Sequence, residues 1–298
     1  MNAILNAVLC SLALGALAQQ SDLGNLLSRG DARRQEYVEA FKNLIAVETR
    51  LTEIIDRNGR VEKERLVVSD FLVYRSGLRD DLVSEYRIAR AVDGRPVRTS
   101  TEDAIRQFQK LAGSKTLAQE SERLKQANLK HGLRYFMWGA TLHPLRMLEW
   151  QERLGVEFAI AGREDVAGRD AIVLDYQLKE PRSISAQGIY RRFDAPRSAM
   201  RGRVWLDTSD GRLLRWEHEI TVSDRDITTP VAVVRYENEY EPSAFEVWTP
   251  KRIVVSFFDK VREKNSPPAV RVAGRITFTY ADFKRFSVST TTDIKPPQ

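Results

Sequence analysis

The strongest constraint on the fold is a pair of short segments within Arg203–Val222 that are joined by Asp210-Gly211. Apolar and polar residues alternate after the glycine, and a period of two is that of a β-strand, whose successive side chains point to opposite faces. The apolar face of the second segment would carry Leu214, Trp216, His218, Ile220 and Val222. Glycine suits the turn because it adopts positive φ without a Cβ clash. The stretch therefore predicts a β-hairpin with one apolar face.

The same alternation recurs along most of the chain, from Leu51–Tyr74 to Val270–Val288. Two regions differ: apolar residues at helical spacing predict a helix over Asp31–Glu48 and several helices in an insert over about 97–152. The remaining segments amount to about eleven strands. These patterns predict an α+β fold, in which helices cover the apolar face of one antiparallel sheet.

The first eighteen residues (1–18) predict a signal peptide. Ile4–Ala18 is apolar and uncharged, and Ala16-Leu17-Ala18 places small residues where signal peptidase requires them. We expect cleavage after Ala18 and a periplasmic or secreted protein. The single cysteine, Cys10, follows Leu9, whereas a lipoprotein anchor would need a small residue there. We therefore expect Cys10 to be removed with the signal peptide, without lipidation.

Residues 19–289 are expected to form a single domain, and residues 290–298 a disordered tail, since the tail has threonines, two prolines and few apolar residues. A chain of 298 residues can bury a core without disulfides. Its net charge is +6, with Lys and Arg scattered along the chain. This distribution argues against a nucleic-acid partner and permits peripheral contact with an anionic membrane surface. We expect a monomer and no cofactor.

Motifs for catalysis or metal binding are absent from the sequence. The three histidines, His131, His143 and His218, do not stand at ligand spacing from one another. His218 lies on the apolar face of its predicted strand, which favours a core or cavity histidine over a general base. No nucleophile elbow, phosphate-binding glycine loop or His-Glu-x-x-His pair occurs. We predict no catalytic residue, no metal site and no enzymatic activity.

The apolar strand faces are the candidate binding surface. A curved sheet with one apolar face must cover that face or expose it, and large exposed apolar patches mark ligand or partner sites. The residues that we predict to line a cavity for lipid are Phe158, Ile160, Leu174, Tyr176, Leu214, Trp216, Phe257, Phe278 and Tyr280. Each buried methylene contributes about 0.8 kcal/mol, so part of an acyl chain would suffice for micromolar binding.

The insert carries the densest group of large apolar residues. The residues that we predict to form a lid are Phe136, Met137, Trp138, Leu145 and Met147. Methionine and aromatic side chains adapt to irregular ligands. They also fill ordinary cores, and the sequence alone favours that second interpretation. Loose packing would make the insert a lid over a pocket, whereas tight packing would make the molecule an ordinary sheet-and-helix domain.

Two hairpins carry a resemblance to a known superfamily. Gly202–Glu217, with its Trp-x-Asp, turn, Gly and x-Leu-x-Arg-x-Glu pattern, resembles a hairpin of the LolA/LolB/LppX-like proteins, which include the MucB/RseB-type domains. Phe158–Tyr176 is similar to the hairpin that precedes it in the same families. The resemblance implies an unclosed, strongly curved half-barrel of about eleven strands, whose concave face is plugged by helices and holds lipoprotein acyl chains or other lipids.

Three hypotheses on function follow. The first is a non-enzymatic periplasmic binding protein for lipid or lipoprotein acyl chains. The second is a protein-interaction or sensor module of the envelope with the same fold and no lipid cargo, which would bind a protein partner through its mixed-charge convex face. The third is a secreted hydrolase, which would need two carboxylates, or a histidine and a carboxylate, within hydrogen-bond reach in a pocket.

Overall fold

The computed structural model describes most of the chain between residues 22 and 285. The described residues are 22–40, 44–75, 83–97, 106, 131–135, 137, 140, 141, 149, 155–183, 193, 197–227, 229–245, 248–262 and 268–285. The predicted signal peptide and tail lie outside these ranges, as does most of the predicted helical insert.

The described residues include one long helix and twelve strands. In chain order they are α1 (22–40), β1 (Leu44–Ile55), β2 (Val61–Arg75), β3 (Val83–Val92), β4 (Arg95–Pro96), β5 (Val156–Val166), β6 (Arg169–Leu178), β7 (Arg182–Ser183), β8 (Arg197–Asp207), β9 (Leu213–Val222), β10 (Val231–Pro242), β11 (Trp248–Val261) and β12 (Ala269–Arg285). Within these ranges, no helix has the length and apolar character that crossing a membrane requires.

All twelve strands belong to one antiparallel sheet. Its order is β4-β3-β2-β1-β12-β11-β10-β9-β8-β6-β5, and β7 pairs beside this path with β8. The first and last strands of the order do not pair with each other, so the sheet is an unclosed half-barrel. The predicted fold class is confirmed, and the eleven strands of the continuous path agree with the number expected from the sequence.

The helix begins and ends earlier than the sequence predicts. Helical spacing favours Asp31–Glu48, whereas α1 covers 22–40 and β1 begins at Leu44. The reason is that Leu44 already pairs with Arg285 on β12, so sheet hydrogen bonds replace helical ones from that residue onward.

Helix α1 is fixed to the turn between β8 and β9. Arg29 Nη1 donates to the carbonyl oxygens of Thr208 at 3.1 Å and Ser209 at 3.2 Å. The turn has Gly211 at φ +76°, and a Cβ there would lie 2.8 Å from the Cβ of Arg29. Glycine is therefore required twice, for the backbone conformation and for the close approach of the helix. Leu26, which is buried, extends this contact into the core.

The carboxylate of Asp207 stabilises the same turn. Its carboxylate accepts a hydrogen bond from the Ser209 backbone amide at 2.8 Å and pairs with Arg169 on β6. Burial alone would raise the pKa of Asp207, but the hydrogen bonds from Arg169 and Ser209 lower it to about 2. The motif Trp205-Leu206-Asp207 thus ends β8 with a carboxylate that holds the turn.

Replacing Asp207 by asparagine is expected to lower the free energy of unfolding at pH 7 by about 1–2 kcal/mol, allowing for solvent screening. A lowered carboxyl pKa gives stability above the ordinary pKa of 3.8, which is lost as the pH falls towards 2. Urea unfolding between pH 7 and 2 should therefore show a weaker acid dependence in the variant. Asp170→Asn, at an exposed ion pair with Arg163, is the control. Equal acid dependence in Asp207→Asn and the unmodified protein would contradict the assignment.

Candidate functional site

Two adjacent rows of side chains, aligned by strand register, define the concave face of the half-barrel. One row comprises Arg50, Phe278, Ile253, Asn238, Trp216, Val204, Leu174 and Ile160. The other comprises Thr52, Ile276, Val255, Tyr236, His218, Gly202, Tyr176 and Phe158. Each row therefore crosses eight strands and brings residues from both ends of the chain onto one surface.

The β6–β10 half of the concave face is aromatic. His218 is fully buried and stacks on Trp216, with 4.9 Å between ring centroids. The hydroxyl of Tyr176 lies 2.7 Å from His218 Nδ1. In the row, Gly202 on β8 lies between Tyr176 on β6 and His218 on β9. A Cβ at Gly202 would lie 2.5 Å from the Tyr176 hydroxyl oxygen. The absence of a side chain at Gly202 is thus what allows Tyr176 to reach His218.

The β1–β3 half of the concave face carries a buried group of charges, which we call the charged cluster: Glu48, Arg50, Glu85 and Arg87. Arg87 Nε donates to Glu48 at 2.7 Å, and Arg87 Nη2 donates to Glu85 at 2.8 Å. Burial alone would lower the pKa of Arg87, but the two carboxylates raise it well above its ordinary value. The pKa of Arg50 is lowered by burial, against the attraction of Glu48. The cluster holds two positive and two negative groups.

The described residues of the insert between Tyr135 and Thr141, which we call the strap, lie across the concave face. The ring of Tyr135 stacks on Phe257 with 4.6 Å between centroids and 15° between planes. The same ring covers Gly274, where a Cβ would lie 2.2 Å from two of its carbons. A glycine on β12 therefore provides the space into which the first residue of the strap fits.

The strap continues over β10 and ends at the charged cluster. The Tyr236 hydroxyl lies 3.6 Å from the sulfur of Met137, and Asn238 Nδ2 donates to the Ala140 carbonyl at 3.2 Å. The backbone amide of Thr141 donates to Glu85 Oε1 at 2.8 Å, and the Thr141 hydroxyl binds the same oxygen. Side-chain contacts with the sheet thus hold the strap at both ends.

Most of the residues predicted to line a cavity lie on the concave face and are buried. The buried ones are Leu174, Tyr176, Leu214, Trp216, Phe257, Phe278 and Tyr280. Phe158 is half-buried, and Ile160 is 36% exposed on β5, the last strand of the sheet. Phe158 and Tyr176 border an open pocket of about 570 Å³ at that edge. Of the predicted lid residues, Met137 lies on the concave face, while Phe136, Trp138, Leu145 and Met147 lie outside the described residues.

Sequence reasoning missed the charged cluster and the polar contacts of the strap. A signal was present in β1, where Glu48 and Arg50 follow Leu44 and Ala46 at a period of two and so share their face. No such signal marks Thr141, because nothing in the sequence indicates which strand the insert contacts.

On the convex face of β6, β8, β9 and β10, acidic and basic side chains form pairs that are more exposed than the charged cluster. Arg203 Nε donates to Asp175 at 2.7 Å, and the two side chains are 41% and 52% exposed. Glu219 accepts hydrogen bonds from both Arg201 and Arg235. Among the described residues, no group of three or more His, Cys, Asp or Glu side chains could hold a metal ion.

Four buried tyrosines predict unfolding in alkali. Burial raises the pKa values of Tyr37, Tyr176, Tyr240 and Tyr280. Raised values mean that the folded protein keeps these protons while the unfolded chain loses them near pH 10, so stability is full below about pH 10 and falls above it. A titration is expected to show phenolate absorbance at 295 nm rising together with the loss of the far-ultraviolet strand signal. Ionisation of these tyrosines at pH 10 without unfolding would contradict their burial.

Similarity to known proteins is found among solved structures. No protein-family model matches the chain, and no curated protein matches it. Among solved structures, it is similar to an outer membrane lipoprotein-sorting protein domain from Vibrio parahaemolyticus, with 13% identity, a TM-score of 0.37 and coverage of 87% of this chain and 93% of the other. It is also similar to a LolA superfamily protein from Nitrosomonas europaea (11%, TM-score 0.33, 89% and 94%). A third is the lipoprotein LppX from Mycobacterium tuberculosis (11%, TM-score 0.24, 87% and 95%).

Proposed function

We propose that the protein is a non-enzymatic binding protein for lipid or lipoprotein acyl chains, which it holds on the concave face of the half-barrel. A location in the periplasm or outside the cell, which follows from the predicted signal peptide, and a monomeric form are part of this proposal. The strap and the rest of the insert act as the lid. Binding requires the strap to leave part of the concave face, so that an acyl chain takes its place.

This proposal is supported by the way in which the strap covers the concave face. The sheet is continuous from β4 to β5 without the strap, which contributes no strand to it. Tyr135 and Met137 contact Phe257 and Tyr236 through an aromatic ring and a thioether, with no backbone pairing between strap and sheet at these points. A cover of this kind can be displaced without breaking hydrogen bonds of the sheet. Displacing a strand, in contrast, would break them.

A second candidate function is the protein-interaction module without lipid cargo. It is favoured by the burial of seven of the nine predicted cavity residues under the protein's own side chains, including Trp216 and Phe278 at 0% exposure. In that case the strap would be a fixed part of the core, and a protein partner in the envelope would bind elsewhere on the molecule.

Titration of the delipidated protein with a fluorescent fatty acid separates the two functions. Saturable binding with an affinity in the micromolar range is expected for the lipid-binding function. Mass spectrometry of an organic extract of the freshly purified protein should also identify a copurified amphiphile. No saturable binding, together with capture of an envelope protein, would favour the interaction module.

Replacing Gly274 by alanine is expected to strengthen fatty-acid binding several-fold. The new methyl group would lie 2.2 Å from the Tyr135 ring, so the ring must leave Phe257. An aromatic stacking contact contributes about 0.5–1.5 kcal/mol, and its loss favours the displaced strap by that amount. Gly24→Ala is the matched control, since a Cβ at Gly24 meets nothing within 4 Å. Unchanged binding in a folded Gly274→Ala protein would argue that the strap does not cover the ligand site.

A further inference from the structure

The two ends of the sheet differ in how their outermost strands are protected. At one end, β4 has only two residues, and one of them is Pro96, which has no backbone N–H to offer. At the other end, β5 has eleven residues, and no strand of the described part of the chain lies beyond it. An edge strand of this length presents N–H and C=O groups with which another extended chain can pair.

The hydrogen bonds between β5 and β6 show which groups of β5 are directed outward. The Lys179 N–H donates to the Gly155 carbonyl at 3.1 Å, at the end of this ladder. In an antiparallel pair, every second residue bonds to the neighbouring strand, and the residues between them direct their N–H and C=O to the other side. Counting from Gly155, the residues directed away from β6 are Val156, Phe158 and Ile160.

Only the first half of β5 is open to a further strand. The ladder is interrupted by a bulge between Ile160 and Gly162, and Arg163-Glu164-Asp165 follows it. Bulges and charged residues are the usual means of preventing pairing at an edge. The first half has no bulge, and Phe158 and Ile160 are accessible on its concave side, with Ile160 36% exposed. We call Val156–Ile160 the open edge.

Two charges beside the open edge define the chemistry of a matching strand. Glu157 and Lys179 border the pocket of about 570 Å³ at this edge, and neither forms an ion pair with another described residue. Opposite charges on directly opposed strand residues are stabilising, and like charges are destabilising. An antiparallel strand therefore matches with a basic residue opposite Glu157 and an acidic residue opposite Gly155, next to Lys179. Apolar residues opposite the three outward-directed residues would continue the concave face.

We propose that the open edge binds an extended segment of a protein partner, which joins the sheet as a strand antiparallel to β5. From its amino end, the segment reads apolar, any residue, apolar, basic, apolar, acidic. This interaction goes beyond the proposed lipid binding and requires no movement of the strap. A second copy of the chain matches less well, because two-fold pairing of β5 about Phe158 sets Glu157 opposite Ala159, without an opposite charge.

Fluorescence anisotropy with a labelled, end-capped peptide, Val-Thr-Val-Lys-Val-Glu, tests the proposal on the purified full-length protein. Saturable binding is expected. N-methylation of the three valines removes the N–H groups that face β5 and is expected to weaken binding about tenfold or more. N-methylation of the threonine and lysine, whose N–H groups face away, is the matched control and should change the affinity by less than about threefold. No saturable binding of the unmodified peptide, or equal affinities of the two methylated forms, would overturn the proposal.

The charge requirement is tested by exchanging the lysine and glutamate of the peptide. The exchanged peptide has the same composition and is expected to bind about threefold or more weakly. Glu157→Lys, at an exposed position, is expected to shift this preference by about threefold or more towards the exchanged peptide. A preference that is the same in Glu157→Lys and the unmodified protein would overturn the assigned register.

A proline at the open edge tests the backbone pairing from the protein side. Ile160→Pro removes an outward-directed N–H and leaves the bonds to β6, a position at which an edge strand tolerates proline. It is expected to weaken binding of the peptide about tenfold, whereas Ile160→Val, which keeps the N–H, should bind within about twofold of the unmodified protein. Equal binding by the two variants would overturn the proposal. So would a dimer in sedimentation that binds no peptide and that Ile160→Pro dissociates, since a second copy would then occupy the edge.

Discussion

Arg87→Met is expected to lower the free energy of unfolding by about 3–5 kcal/mol, because it leaves buried carboxylates without their compensating charge. Arg87 is 1% exposed and is the shared partner of Glu48 and Glu85, which are also buried. Its guanidinium carbon lies 4.9 Å from the centroid of the Phe71 ring, so the substitution also removes a cation–π contact. Denaturant unfolding followed by circular dichroism at pH 7 measures the change.

Arg203→Met is the matched control for Arg87→Met. Arg203 makes a comparable hydrogen-bonded pair with Asp175 on the convex face, but both side chains are about half exposed. Such pairs contribute about 0–1 kcal/mol, so the control is expected to unfold almost like the unmodified protein. Equal losses in the two variants would contradict the burial of the charged cluster.

Trp216→Asp is expected to abolish cooperative folding, or to leave a folded protein that no longer binds amphiphiles. Trp216 is fully buried at the centre of the row that runs from Arg50 to Ile160, and it stacks on His218. Loss of a buried tryptophan costs about 3–5 kcal/mol, and an unpaired buried carboxylate adds a further penalty. Near-ultraviolet circular dichroism and thermal unfolding measure the loss of packing.

Trp216→Phe separates the effect of charge from that of volume. It keeps an aromatic ring next to His218 and introduces no charge, so a smaller loss than that of the aspartate variant is expected, with a cooperative transition retained. A cooperative transition in Trp216→Asp with unchanged stability would show that the concave face around Trp216 is open to water.

The alternation in the sequence predicted the hairpin and its faces because a strand has a side-chain period of two. Leu214, Trp216 and His218 alternate with polar residues, and the structure buries all three on one face. The interpretation of His218 as a core or cavity histidine is confirmed, since it is fully buried and contacts Tyr176. Strand order could not be derived in this way, because periodicity describes one strand and carries no information on its neighbours.

The charged cluster escaped prediction for a specific reason. Glu48 lies at the end of the segment whose spacing predicted a helix, and charged residues in such a position are normally assigned to solvent. Its face is set instead by the pairing of β1 with β12, where Glu48 lies opposite Tyr280. The partner that compensates it, Arg87, is 39 positions away in the sequence. A buried pair between distant residues depends on the register of three strands, which one sequence does not reveal.

The contacts of the strap are beyond sequence reasoning for a related reason. The large apolar residues of the insert predicted a cover for the sheet, and Met137 does lie on the concave face. The positions that receive the strap, however, are defined by what they lack or by a distant register: Gly274 has no side chain, and Glu85 lies on β3. Neither feature gives a pattern along the chain.

The pairing of β1 with β12 has a consequence for how the molecule is made. Glu53 and Arg275, which join these strands, are 222 positions apart, and such distant contacts slow folding. During synthesis, β1–β4 cannot join the same sheet as β5–β11 until β12 has been made, because β12 pairs with both β1 and β11. Until then, β1 and β11 both present bare edges, which are open to pairing with other chains. Aggregation is therefore expected to be most favoured just before β12 is synthesised. A chain that ends before Ala269 would keep both unpaired edges.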